Sequence, residues 1–290
     1  MSKPSQKIQI VTWCSPDKVG LLSEITSVIA KFGGNLLEVI QFTEQKETKF
    51  FLRAEIDLEE VLKVNKVKLN KSLMVLAKKH KSEINIRDQN IKPKVGFLVS
   101  KEGHCLSDIL WRWESGELPI DPEVIISNHP NLENIASHFK VPFIHLEITK
   151  KIKEKRFKEI YSKLKSYNVD TIILARFMQI LPNWLCDIYK NKIINIHHSF
   201  LPSFKGSNPY GQAFDRGVKL IGATSHYVTP ELDEGPIIEQ EVRRVSHFHT
   251  KSDLIRLGKD CEKLALSKAI KLHAESRIFI QREKTIILGD

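Results

Sequence analysis

The chain has 290 residues, 41% of them hydrophobic, and a formal net charge of +10. That length suits about two domains, each able to bury a core, and no apolar run approaches the ~20 residues that a membrane-spanning helix needs. The excess Lys and Arg lie in runs such as KKHKSE and KKIKEKRFKE, mixed with acids and without interleaved aromatic residues, as on a solvated surface; a nucleic-acid partner is not expected.

The opening MSKPSQKIQIV has no long apolar stretch and no small-residue cleavage site, so a cytoplasmic protein without a targeting segment is expected. Cys14, Cys105, Cys186 and Cys261 stand far apart with no C-x-x-C pair. That pattern suits reduced thiols, not a disulfide frame or a zinc knuckle.

Residues 7–88 read as β-α-β-β-α-β. KIQIVTW is β-rich and PDKVGLL turns the chain. From Leu21, the apolar residues Leu21, Ile25, Val28, Ile29 and Phe32 share one helix face, which Gly33 and Gly34 stop. NLLEVIQFTE and KFFLRAEID are strands around the polar QKET, Val61 to His80 is helical, and INIRD closes as a strand. This is the order of a ferredoxin-like unit. QNIKP, residues 89–93, is polar, ends in proline and is the expected linker.

In residues 94–290, short apolar strands alternate with helical stretches. KVGFLVS leads to a helix from about Cys105, EVIIS to one near 131–139, PFIHLEI to one at 150–167, and DTIILA to one near 182–190. IINI then opens into a loop. VKLIGATSHYV and GPIIEQEVRRV read as antiparallel additions, followed by a helix from Lys251 to Glu275. The expected fold class is therefore α/β: a ferredoxin-like domain followed by a Rossmann-like domain with a mostly parallel sheet.

Ligands of open parallel sheets bind beyond the carboxyl ends of the strands. The stretch INIHHSFLPSFKGSNPY begins at such an end. Asn195 and His197 are alternate residues of extended chain, so their side chains share a direction, while His198 should point elsewhere. A neutral and a cationic donor aimed together suit an oxyanion forming on an attacked carbonyl. Proton transfer needs a base, and Asp233 lies at the centre of the acidic turn PELDEGP, with Glu231 and Glu234 beside it. Like charges there are expected to raise its pKa. His226 lies on a strand that returns toward the same place. The bland reading makes Asn195 a turn cap and ELDEG an ordinary acidic turn. The metal reading needs two histidines and a carboxylate, but adjacent His197 and His198 should diverge, so no metal is expected.

INIHHSFLPSFKGSNPYGQAFDRGVKLIGATSHYVTPELDEGPII resembles the folate-dependent formyltransferase fold family. The wider chain, with SKEGHCLSDILWRWESGELP, IISNHPNLE, ARFMQIL and the double histidine of NIHHSFLP, is similar to its formyltetrahydrofolate deformylase branch. SPDKVGLLSEITSVIAKFGGNLLEV resembles an ACT domain. The resemblance implies a regulatory ACT-like domain at 7–88 and a catalytic domain at 94–290. It places catalytic roles on Asn195, His197 and Asp233, with His226 nearby. The folate head would be gripped by Met178, Gln179, Ile180 and Leu181, with His198 and Ser199 beside the substrate.

The implied reaction is hydrolysis of 10-formyltetrahydrofolate, without a cofactor, to formate and tetrahydrofolate, supplying formate for purine synthesis and balancing the folate pools. Two departures separate the chain from transferases that use a phosphorylated acceptor. SKEGHCLSD holds one glycine, Gly103, beside a bulky His104, where those enzymes carry a glycine-rich phosphate cradle. His198 stands where they carry proline. Water then becomes the nucleophile, held in part by His198; formyl transfer to an amine acceptor is the alternative. The ACT resemblance further implies an amino-acid effector at Asp17, Lys18, Val19, Gly20 and Leu21, and a homo-oligomer.

Overall fold

The computed structural model describes residues 7–201 and 209–289. Residues 1–6, 202–208 and 290 lie outside that range. The chain forms two compact units. One takes the described residues up to Lys92 together with Glu275–Phe279 and those from Ile286 onward; the other takes Pro93–Ala274 and Ile280–Thr285.

The first unit runs β1 (Ile8–Pro16), α1 (Leu21–Lys31), β2 (Asn35–Glu44), β3 (Lys49–Asp57), α2 (Lys63–Lys79) and β4 (Glu83–Asp88). Its strands lie in the order β2-β3-β1-β4, every neighbour antiparallel. The period-2 alternation of β1 and β3 sends Val11, Trp13, Leu52, Ala54 and Ile56 to one core, where Leu21, Ile25 and Ile29 of α1 and Leu69, Leu73 and Leu76 of α2 meet them. On the opposite face of β3, buried Arg53 pairs with Glu38 and Glu55 and donates to the Glu275 carbonyl at 3.0 Å. Phe51 beside it meets Phe279 edge-on at 5.4 Å. A buried guanidinium is tolerable there because each of these partners answers its charge or its donors.

The second unit runs β5 (Lys94–Val99), α3 (His104–Glu114), β6 (Asp121–Ser127), a 3-10 turn into α4 (Glu133–His138), β7 (Phe143–His145), α5 (Lys153–Ser166), β8 (Thr171–Ala175), α6 (Asn183–Ile188), β9 (Ile193–His197), α7 (Pro209–Asp215), β10 (Leu220–Tyr227), β11 (Ile237–Arg244) and α8 (Lys251–Ala274). A short hairpin, β12 (Ile278–Gln281) and β13 (Lys284–Ile287), follows. The seven-stranded sheet has the order β11-β10-β9-β8-β5-β6-β7. Strands β5 to β9 pair in parallel, and β10 and β11 add antiparallel.

Consecutive residues Phe97, Leu98 and Val99 are all buried, as are Ile172, Ile173 and Leu174, which is the signature of strands covered on both faces. Gly96 lets α5 approach β5: a Cβ there would stand 2.6 Å from Leu164 Cδ2. PFIHLEI forms only three residues of strand, because β7 is the sheet edge and pairs over Phe143–His145 alone. Helix α7 and the last hairpin are elements the sequence pattern does not announce. Among the described residues no helix is long and apolar enough to cross a membrane.

Candidate active site

Strands β5, β8 and β9 run in parallel, so their carboxyl ends share one rim of the sheet. Ser100, Arg176 and His198 immediately follow those ends. Beyond the rim lies a cleft of about 280 Å³, lined by the segment from Arg176 to Leu181, by Asn195 to His198, by His226 and by the turn from Val228 to Asp233. Met178 and Ile180 are exposed, whereas Leu181 is buried. The segment is anchored: the Met178 backbone N–H donates to Ser100 Oγ at 3.0 Å, and Ser100 Oγ donates to Asn128 Oδ1 at 2.7 Å.

Asn195 and His197 occupy alternate positions of β9 and both line the cleft. In the β9–β10 ladder Asn195 faces His226 and His197 faces Thr224. His226 Nδ1 lies 2.9 Å from the Tyr227 carbonyl, which only accepts, so that nitrogen carries the proton. Nε2 of the neutral ring then accepts from Asn195 Nδ2 at 3.1 Å. Burial lowers the His226 pKa, which keeps the ring neutral at pH 7. One amide hydrogen of Asn195 is thereby committed to His226, while Asn195 itself lines the cleft. The ladder shifts register between Ser225 and His226 against β11, the kind of bulge that re-aims side chains beside active sites.

Asp233 arrives from the β10–β11 turn. Its φ of 58° is left-handed, a conformation Asp tolerates better than most residues. The turn is tight: Tyr227 N–H donates to the Pro236 carbonyl at 2.9 Å, and a Cβ on Gly235 would stand 1.7 Å from the Tyr227 carbonyl oxygen. Asp233 Oδ2 lies 3.2 Å from His197 Nδ1, and Oδ1 lies 3.7 Å from His226 Nε2. Burial raises the Asp233 pKa, but the hydrogen bond from His197 and the charges of His197 and His226 outweigh it and hold the carboxyl below its usual range. The sequence-based expectation of a raised pKa is therefore reversed. Neighbouring imidazoles, not Glu231 and Glu234, set the local field. His197 Nε2 is buried and makes no hydrogen bond among the described residues.

His198 also lines the cleft instead of pointing away, since β9 ends at His197 and strand alternation ends with it. It is buried, and burial together with the Arg176 charge pushes its pKa down to about 4. Ser199 is buried but is not among the cleft-lining residues; its carbonyl accepts from Thr224 Oγ1 at 3.0 Å.

The sequence pattern missed a polar cluster that adjoins the cleft through Arg176. Glu262, on the inward stripe of α8 with Gly258, Cys261 and Ala265, is 1% exposed. His104 Nε2 and Tyr210 Oη each donate to it at 2.8 Å, and Arg176 Nε lies 3.4 Å away. Burial raises the Glu262 pKa, yet His104, Arg176 and Tyr210 bring it below its ordinary value, so it is anionic. A charge on an otherwise apolar helix stripe was the signal for it. His104, Cys105 and Glu262 bring ligand-type atoms within 4.8 Å of one another. Arg176 already supplies a cation there, and burial holds the Cys105 thiol protonated, which is poor ground for a metal.

In the first unit, Asp17, Lys18, Val19 and Gly20 form an exposed turn, with Gly20 at φ 84°. The Leu21 side chain is buried in the core and does not reach that surface.

The formyl transferase family matches residues 93–270, and the ACT domain family matches residues 9–66. The chain is 42% identical over 274 residues to a formyltetrahydrofolate deformylase of Synechocystis sp., covering 94% of this chain and 96% of that protein. It is 40% identical over 275 residues to one of Bacillus subtilis, with 94% and 91% covered. The crystal structure of a formyltetrahydrofolate deformylase from Pseudomonas syringae superposes with a TM-score of 0.94 at 38% identity, covering 98% of this chain and 95% of that one.

Proposed function

The chain belongs to the formyltetrahydrofolate deformylase family, and from that premise we propose how its cleft hydrolyses 10-formyltetrahydrofolate. The formyl carbonyl sits against Asn195 and His197. Water attacks its carbon, and the oxygen becomes an oxyanion that accepts from the second Asn195 Nδ2–H and from His197 Nε2–H. In this step His197 acts as the imidazolium, with its Nδ1 held beside Asp233 at 3.2 Å. A proton leaves the attacking water for Asp233 as its charge builds. The C–N bond then breaks, and Asp233 relays the proton it took from water to the folate nitrogen as tetrahydrofolate departs. Formate leaves as the carboxylate, and one proton is released to solvent.

The observation that carries this mechanism is the convergence of Asn195, His197 and Asp233 on one cleft, with the His197–Asp233 contact at 3.2 Å. His226 acts through Asn195 and is a positioning residue. The apolar side chains of Met178, Ile180, Leu181 and Leu232 offer a wall for a flat heterocycle. Incubation of the purified protein with 10-formyltetrahydrofolate alone tests the mechanism. Formate and tetrahydrofolate should appear in equal amounts without any amine acceptor; a strict need for an acceptor would make the protein a transferase.

The ACT-like unit supports a regulatory role. Its effector would contact the exposed turn Asp17 to Gly20, and a homo-oligomer would pair such units. Titration with free amino acids and a solution mass measurement test both points; no binding and a monomeric mass would leave the unit purely structural.

A further inference from the structure

We propose that Arg176, with His198 beside it, forms a subsite for a small monocarboxylate in the cleft, and that its ligand is the formate the reaction releases. The inference rests on the deformylase reading above.

Four observations meet there. Arg176 lines the cleft directly after β8. Its backbone φ is 65°, a left-handed conformation that a long side chain seldom adopts and that persists only where the surroundings impose it. Its Nε and Nη1 are buried and make no hydrogen bond among the described residues. Its nearest carboxylate, Glu262, takes direct hydrogen bonds from His104 and Tyr210 at 2.8 Å, while Arg176 Nε stands off at 3.4 Å. The guanidinium charge is thus faced by Glu262, while Nε and Nη1 make no hydrogen bond among the described residues. His198 adds a second buried nitrogen, Nε2, without a hydrogen bond among the described residues.

A buried guanidinium with idle donors is an acceptor-seeking group. The chemistry supplies one acceptor. The formyl group enters neutral and leaves as a planar carboxylate, the partner whose shape guanidinium matches. Binding that gains strength only as the negative charge appears draws the product away from the folate nitrogen. The depressed His198 pKa fits this arrangement, because a neutral ring leaves Arg176 as the cation of the subsite.

Initial rates with 10-formyltetrahydrofolate, at constant ionic strength, should be measured with added sodium formate and with formamide, a neutral mimic of the same size. Formate should inhibit the wild-type protein at least about tenfold more tightly than formamide, as expected for a charge-assisted contact. Arg176→Gln should weaken formate inhibition by a similar factor, and Arg176→Lys should restore part of it. Equal inhibition by the two compounds, no inhibition by formate, or an unchanged inhibition constant in Arg176→Gln would each overturn the subsite. If Arg176→Gln does not fold, carbon-13 line broadening on the folate-free wild-type protein decides. Broadening of formate but not formamide supports the subsite, and broadening of both or neither overturns it. A wild-type protein that releases no formate from 10-formyltetrahydrofolate would overturn the deformylase reading itself, which separates the two failures.

Discussion

Asn195 and His226 stand directly opposite each other in the antiparallel β9–β10 pair, with Asn195 Nδ2 3.1 Å from His226 Nε2. The imidazole has its other nitrogen committed to the Tyr227 carbonyl, so it can only accept from the amide. The ring thus aims the amide that the proposed mechanism uses as an oxyanion donor. Asn195→Ala should therefore lower kcat by about 10²–10³, as loss of one oxyanion donor does, with little change in KM. His226→Ala should give a smaller loss in the same direction. Formate release measured across a substrate series checks both, and an Asn195→Ala enzyme with wild-type kcat would remove Asn195 from the mechanism.

Asp233→Asn keeps a side chain that tolerates the left-handed backbone but removes the carboxylate beside His197. Folding should survive while kcat falls by about 10²–10⁴, the usual contribution of proton transfer. Thermal unfolding and single-turnover rates together separate this outcome from a simple loss of structure.

Gly235→Ala acts through the backbone. The new methyl would lie 1.7 Å from the Tyr227 carbonyl oxygen, so the turn must open. Stability and kcat should drop together, because the same turn carries Asp233. A variant with normal melting and normal turnover would show that the turn's closeness is irrelevant to the chemistry.

The pH dependence of folding should carry the mark of His198. Its folded-state pKa is about 4 against an ordinary value of 6.5. Between those values the unfolded chain binds more protons, so stability falls as the solution is acidified through that window, and the contribution of His198 levels off below it. The effect is at most about 3 kcal/mol. Buried His226 acts in the same direction. Replacing His198 with Gln should flatten the Tm profile between pH 4 and 6.5, in scanning calorimetry at fixed ionic strength. A profile as steep as the wild type would leave His198 without this role.

A chelator should leave formate release unchanged, since the roles proposed for Asn195, His197 and Asp233 are hydrogen bonding and proton transfer. Loss of activity after exhaustive chelation, restored by one divalent ion, would point instead to His104, Cys105 and Glu262.

The sequence carried much of this fold because its elements are locally consistent. Leu21, Ile25 and Ile29 mark one helix face and become its buried residues; GFLV and IILA are apolar at every position and become doubly covered strands. Alternation along β9 placed Asn195 and His197 together, and it failed for His198, where the strand ends. Charge logic failed for Asp233 because sequence neighbours were Glu231 and Glu234, whereas spatial neighbours are His197 and His226. Arg176, Glu262 and Tyr210 meet only after α8 has folded onto the sheet, so no spacing in the chain announces them. The return of Glu275–Phe279 to the first unit has the same origin: Arg53 finds the Glu275 carbonyl across 222 positions.

The β10–β11 hairpin forms one margin of its sheet, with β11 outermost. Peripheral strands detach at lower free energy than central ones. Transient fraying of this margin would carry Asp233 away from His197 while β5, β8 and β9 stayed paired. If the proposed role of Asp233 holds, catalysis would fade on warming before the secondary structure does.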